Sequence, residues 1–183
     1  MGVIQTVTSY CEKKFIKYPL LFKIYSYPYK YILKREIKLG QITENDRVLN
    51  IGCGAIPYSA VYISRMTGAR VEAIDYDAHA CIKARKYIKR LNLKSKITIK
   101  RGNGIEYDID SFDVILVALQ AEPKKEILDN LFEKAETGTR FIFRKPRKIV
   151  ENQYDKLPAD YPVSDDIAQP MLTFNKSVLY VKE

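Results

Sequence analysis

Between Val48 and Pro57 the chain reads V-L-N-I-G-C-G-A-I-P. Two glycines one residue apart, directly after an apolar run, permit a tight turn and a close backbone approach to a ligand. A dinucleotide-binding loop places a third glycine where this chain has Pro57. Proline removes an N–H that a pyrophosphate would use, so the loop suits a nucleoside without pyrophosphate. Asp75 lies 23 residues after Gly52, at the end of the next apolar run. A carboxylate there can accept two hydrogen bonds from a ribose diol. A third run ends at Gly102-Asn103-Gly104, where a side-chain amide or the backbone can read an adenine edge. A fourth ends at Val117-Ala118, small enough to lie against a purine. Together the four ends describe an S-adenosylmethionine (SAM) pocket, with Gly52, Cys53, Gly54, Ala55, Asp75, Tyr76, Gly102, Asn103, Gly104 and Ala118 as its candidate binding residues.

These ends must be held by a scaffold. Short β-rich runs at Arg47–Ile51, Ala69–Ile74, Ile97–Lys100, Asp113–Ala118 and Arg140–Phe143 alternate with helical stretches at Pro57–Met66, Asp77–Leu91 and Lys124–Ala135. Alternation of this kind predicts βαβ units, and hence an α/β, doubly wound, mostly parallel sheet. Asp113–Ala118 is nearly all apolar and reads as a strand buried on both faces. Glu151–Gln169 is polar and reads as a loop, and Met171–Phe174 with Ser177–Val181 reads as a closing antiparallel hairpin. Residues 1–44 form an aromatic and basic N-terminal arm, and 45–183 the SAM-binding Rossmann-like domain. Pro19 and Pro28 divide the arm, so that Pro28 opens a helix over Tyr29–Leu39 that Gly40 stops. Its apolar residues fall in short pieces, which suits a lid or packing arm better than a membrane-surface helix.

The 183 residues carry 31 Lys or Arg against 22 Asp or Glu, a net charge of +9. Residues 81–101 hold nine of those cations and no acid. That pattern is a solvated helix face or a contact for RNA. Cys11, Cys53 and Cys81 are odd in number and irregularly spaced, which argues against a disulfide framework and for a reducing, cytoplasmic compartment. One histidine, His79, and the absence of Cys-x-x-Cys predict no metal site. No apolar run approaches a membrane span. Gly2 and Thr6 fit a loose N-myristoylation pattern that nothing else in the sequence supports.

I-G-C-G-A-I-P-Y-S (51–59), V-A-L-Q-A-E-P-K-K (117–125), F-I-F-R (141–144), P-V-S-D-D-I (162–167) and N-K-S-V-L-Y-V-K (175–182) occur in that order. They resemble the archaeal type of nicotianamine synthase, within the SAM-dependent methyltransferase superfamily, over roughly residues 45–183. The resemblance implies transfer of the aminocarboxypropyl group of SAM to an amine or amino-acid substrate, with methylthioadenosine leaving and SAM as substrate rather than resident cofactor. By the same resemblance Glu36 is the candidate base and Arg144 meets a substrate carboxylate. Tyr58, just after the glycine loop, lines the pocket or is a core ring. The alternatives are an exposed helical acid for Glu36 and a surface charge for Arg144. The N-terminal region is shorter than the helical domain that covers the family's site, and a homodimer could complete it. A methyltransferase acting on a small molecule or RNA, and a SAM-binding module without catalysis, are the competing functions.

Overall fold

The structure, a computed structural model, describes the backbone from Pro19 and the side chains from Tyr29 through Glu183. The Gly2–Thr6 pattern, Cys11 and the first residues of the arm lie outside the described residues. The elements are α1 (Pro19–Leu39), β1 (Arg47–Ile51), α2 (Tyr58–Thr67), β2 (Arg70–Asp75), α3 (Ala78–Arg90), β3 (Ile97–Arg101), β4 (Val114–Val117), α4 (Lys124–Lys134), β5 (Arg140–Pro146), a 3-10 turn over Lys148–Gln153, β6 (Asp165–Ala168) and β7 (Phe174–Val181).

Seven strands form one sheet in the order β3-β2-β1-β4-β5-β7-β6. β1 pairs in parallel with both β2 and β4, so the strand order reverses between β1 and β4, where open α/β sheets bind ligands. β5 pairs antiparallel with β7, and β7 with β6. Helices cover both faces. On one, Ile32 and Leu33 of α1, Ile63 of α2 and Ile88 of α3 pack with Leu116 and Ile142. On the other, Leu128 and Leu131 of α4 pack with Leu49, Phe141 and Tyr180. All four residues of β4 are fully buried, as its unbroken apolar sequence requires.

Two expectations change. The arm helix does not begin at Pro28 but runs from Pro19 through it. A proline forfeits one hydrogen bond, and the turns on either side still make theirs. Gly40 follows α1 at a crowded place, where a Cβ would lie 2.7 Å from Ile142 Cδ1, and the chain leaves the helix at Gln41, in the left-handed conformation at φ 49°. The C-terminal hairpin exists with different strands. Its outer strand is β6, drawn from the stretch that reads as loop, while residues 171–173 connect and Asn175-Lys176 lie within β7. β6 is an edge strand whose only half-covered residue is Ile167, so its sequence lacks the alternation that burial would impose.

Candidate active site

The glycine-loop end is built from backbone. Gly52 and Gly54 sit at φ +77° and +66°, and the N–H groups of Gly52 and Cys53 both donate to Ile74 O, at 2.9 and 3.0 Å. The turn is thereby tied to the end of β2. A Cβ on Gly52 would meet Ala121 Cβ at 3.1 Å and Ala118 Cβ at 3.2 Å, whereas a Cβ on Gly54 would enter open space. Gly52 is thus fixed by conformation and by crowding, Gly54 by conformation alone. Gly54 N–H donates to Asp75 Oδ2 at 2.8 Å, and Asp77 N–H to Asp75 Oδ1 at 3.0 Å. Each carboxylate oxygen keeps a second acceptor position, so half-buried Asp75 can hold the loop and still receive a diol.

Cys53 contributes only its backbone. Its side chain belongs to the core, and burial, with Asp75 nearby, pushes the thiol far above its ordinary range. Cys81, fully buried, lies beneath the same ends with Sγ 3.4 Å from both Asp75 O and Lys100 O. Tyr76 is 78% exposed at the rim, Ala55 is half-buried in the loop, and Ala118 backs Gly52. In the third turn Asn103 Oδ1 accepts from Ile105 N–H at 3.2 Å, which leaves the Nδ2 hydrogens for a ligand. Gly102 and Gly104 are crowded, with Tyr107 ring atoms 2.6 Å and Ile51 Cγ2 2.7 Å from where a Cβ would stand. His79 is exposed near the start of α3, where its N–H is capped by Asp77 Oδ1.

The other end is built from charged side chains. Glu36 of α1 is 0% exposed and Arg144 of β5 is 5% exposed. Arg144 Nε and Nη2 donate to the two oxygens of Glu36, each at 2.9 Å, and Nη2 also donates to Ser59 Oγ at 3.0 Å. Ser177 Oγ donates to Glu36 Oε1 at 2.7 Å and accepts from Gln169 Nε2 at 3.0 Å. The guanidinium lies over the Phe174 ring, 5.3 Å from its centroid. Burial opposes its charge, but the Glu36 carboxylate outweighs burial and holds Arg144 above its ordinary value. Beside this network Tyr58 stacks on Tyr29 with centroids 5.2 Å apart. The exposed-acid and surface-charge alternatives for Glu36 and Arg144 therefore fail, because each residue is buried against the other.

A second buried cation is Lys124. Its ammonium is fully buried and donates to Leu119 O at 2.8 Å and Ala121 O at 3.3 Å, shaping the turn that presses on Gly52. Burial pulls its pKa down, against the pull of Glu122 and Asp155. The sequence puts Lys124 at the start of a helix without showing its burial, and it gives Ser177 and Gln169 no role beside Glu36. Nothing local in their sequence marks them, since their partners come from α1.

Residues 23–176 match the sequence profile of the protein-L-isoaspartate(D-aspartate) O-methyltransferase (PCMT) family. The chain belongs to this family. Its sheet is that of the SAM-dependent methyltransferase-like superfamily. This PCMT-family chain is similar in structure to MtNAS in complex with MTA and tNA, with a TM-score of 0.79 and 27% identity over 89% of this chain and 63% of that one. An RNA methyltransferase from Salinibacter ruber in complex with S-adenosyl-L-homocysteine shares the fold, with a TM-score of 0.68 and 18% identity over 82% of this chain and 89% of that one. Among curated proteins, L-histidine 2-aminobutanoyltransferase of Yersinia pestis is 29% identical over 112 residues, 61% of this chain and 42% of that protein. The PCMT-family chain thus spans less than half the length of the curated relatives it matches.

Proposed function

We propose that the chain is a SAM-dependent transferase of the nicotianamine synthase-like kind, moving the aminocarboxypropyl group of SAM to an amine. The observation that carries this reading is the Glu36–Arg144 pair, an arm acid and a strand-end arginine joined beside Ser59, just past the glycine loop. Glycine loop, Asp75 and the Asn103 turn would hold the nucleoside. Arg144 would take the carboxylate of an amino-acid substrate in the same two-pronged geometry it now gives Glu36. That exchange of partners would release Glu36 as base. The neutral amine attacks the carbon next to the sulfonium, a C–N bond forms, and the C–S bond breaks with its electron pair going to sulfur. Methylthioadenosine leaves, and the amine proton passes to Glu36. Positioning selects which of the three carbons on sulfur is attacked. The likeness to MtNAS and to a 2-aminobutanoyltransferase supports this chemistry.

Membership of a methyltransferase family supports a second reading, transfer of the methyl group to a small molecule or RNA. The two leave different nucleosides. Chromatography after incubation with SAM and an amine such as glutamate or histidine is expected to show methylthioadenosine above a no-protein control, with the arm incorporated into the amine. S-adenosylhomocysteine instead would establish methyl transfer, and SAM binding without either product would make the chain a binding module.

A further inference from the structure

β3 is an edge strand of the sheet with α3 packed beside it, and the segment that spans the two, residues 81–101, carries nine cations and no acid. Some are spent within the protein: Arg85 Nε donates to Ile99 O and Lys96 Nζ to Gly68 O, both at 3.0 Å, Arg101 Nε to Tyr76 O at 3.1 Å, and Lys100 pairs with Glu72 at 2.8 Å. Lys83, Lys86, Lys89, Arg90 and Lys94 form no ion pair with any other described residue. Between helix and strand runs a groove of about 280 Å³ with an apolar floor of Ile88, Ile97 and Ile99 and exposed Lys86, Lys89 and Lys94 around it.

The floor and the rim ask for different things of one ligand. An apolar recess can take the face of an unstacked base, and the ammonium groups around it suit phosphates. A duplex offers phosphates but keeps its bases stacked inside. A membrane needs protruding apolar residues, and here the floor is recessed, at 2%, 3% and 6% exposure for Ile88, Ile97 and Ile99. We propose that the α3–β3 groove is a docking site for single-stranded nucleic acid. The groove is lined by Ile97, the first residue of β3, whereas the SAM pocket lies beyond the last. It therefore acts as a separate anchoring surface, whatever the small-molecule substrate.

The test is fluorescence anisotropy of a labelled, unstructured RNA of ~12 nucleotides, titrated with the full chain between ~50 and ~200 mM salt. Wild type is expected to bind with a steep salt dependence. Lys86→Glu, Lys89→Glu and Lys94→Glu together should weaken binding at least ~tenfold and flatten the log–log salt slope by ~2, from ~0.7 per lost phosphate contact on a single strand. The matching triple change to Gln keeps the test open if the Glu variant does not fold. A control with the same charge change elsewhere, Lys34→Glu, Lys134→Glu and Lys156→Glu, should bind as wild type does. No binding by wild type, equal loss in the control, or full affinity in the groove variant would each overturn the proposal. So would groove-dependent binding to phosphatidylserine vesicles with no binding to the oligonucleotide.

Discussion

The two ends of the candidate site are made of different materials. At the glycine loop, backbone N–H groups, two left-handed glycines and one half-buried acid do the work. At the α1–β5 end, buried charged and polar side chains from four separate elements hydrogen-bond to one another. The first end tolerates water, and its parts are near in sequence. The second excludes water, so each member depends on the others: a buried ion pair adds little net stability, but losing one partner strands the other.

The largest expected effect follows from that asymmetry. Arg144→Ala leaves Glu36 buried without its guanidinium and should cost ~3–5 kcal/mol, read as a lowered urea midpoint. A loss below ~1 kcal/mol would mean that solvent reaches the pair. Next comes the glycine loop. Gly52→Ala should cost ~2 kcal/mol or more, because a left-handed backbone penalty adds to crowding against Ala118 and Ala121. Gly54→Ala should cost only the backbone part, ~1–2 kcal/mol. Equal losses at the two positions would show that Ala121 gives way. Asp75→Ala should leave the protein folded and weaken SAM by at least ~tenfold in calorimetry, since hydrogen bonds to a charged acceptor are worth ~1.5–3 kcal/mol each. Unchanged affinity would remove Asp75 from the site.

The smallest effect is in pH. Asp46 accepts from Thr43 and pairs with Arg140, which also donates to Gly40 O at 2.7 Å and so ties down the end of α1. Burial would raise its pKa, but the Thr43 and Arg140 hydrogen bonds outweigh burial and leave it below 3.8. A depressed carboxylate contributes stability that is present above the unfolded value and lost as pH falls through the folded one. Wild type should therefore lose stability below pH 3.8 more steeply than Asp46→Asn does. Parallel acid-unfolding curves for the two would remove Asp46 from the tether.

The same asymmetry explains what the sequence revealed. Gly52 and Gly54 are legible because a positive φ demands glycine at a particular place, and Asp75 because it closes the apolar run that follows the glycine loop. The sheet is legible because its helices and strands carry their burial as periodicity. Ser177 and Gln169 are not: Ser177 meets an acid 141 positions away, Gln169 meets Ser177 and the backbone of α1, and a serine in a strand looks the same whether or not such an acid arrives. β6 was hidden for the opposite reason, having too little burial to leave a pattern. The arm helix across Pro28 shows a local rule overridden by the turns on either side.

The distance between Glu36 and its partners also sets an order of events during synthesis. Glu36 meets Arg144 across 108 positions and Ser177 across 141. A nascent chain emerging N-terminus first makes the arm early, yet its acid has no place to be buried until β5 has emerged and no complete set of partners until β7 has. Glu36 can therefore reach its full set of partners only when the last strand joins the sheet. Burial of Glu36 is in this way coupled to completion of the fold, and a chain stalled before β7 would lack the Ser177 hydroxyl that this acid accepts from.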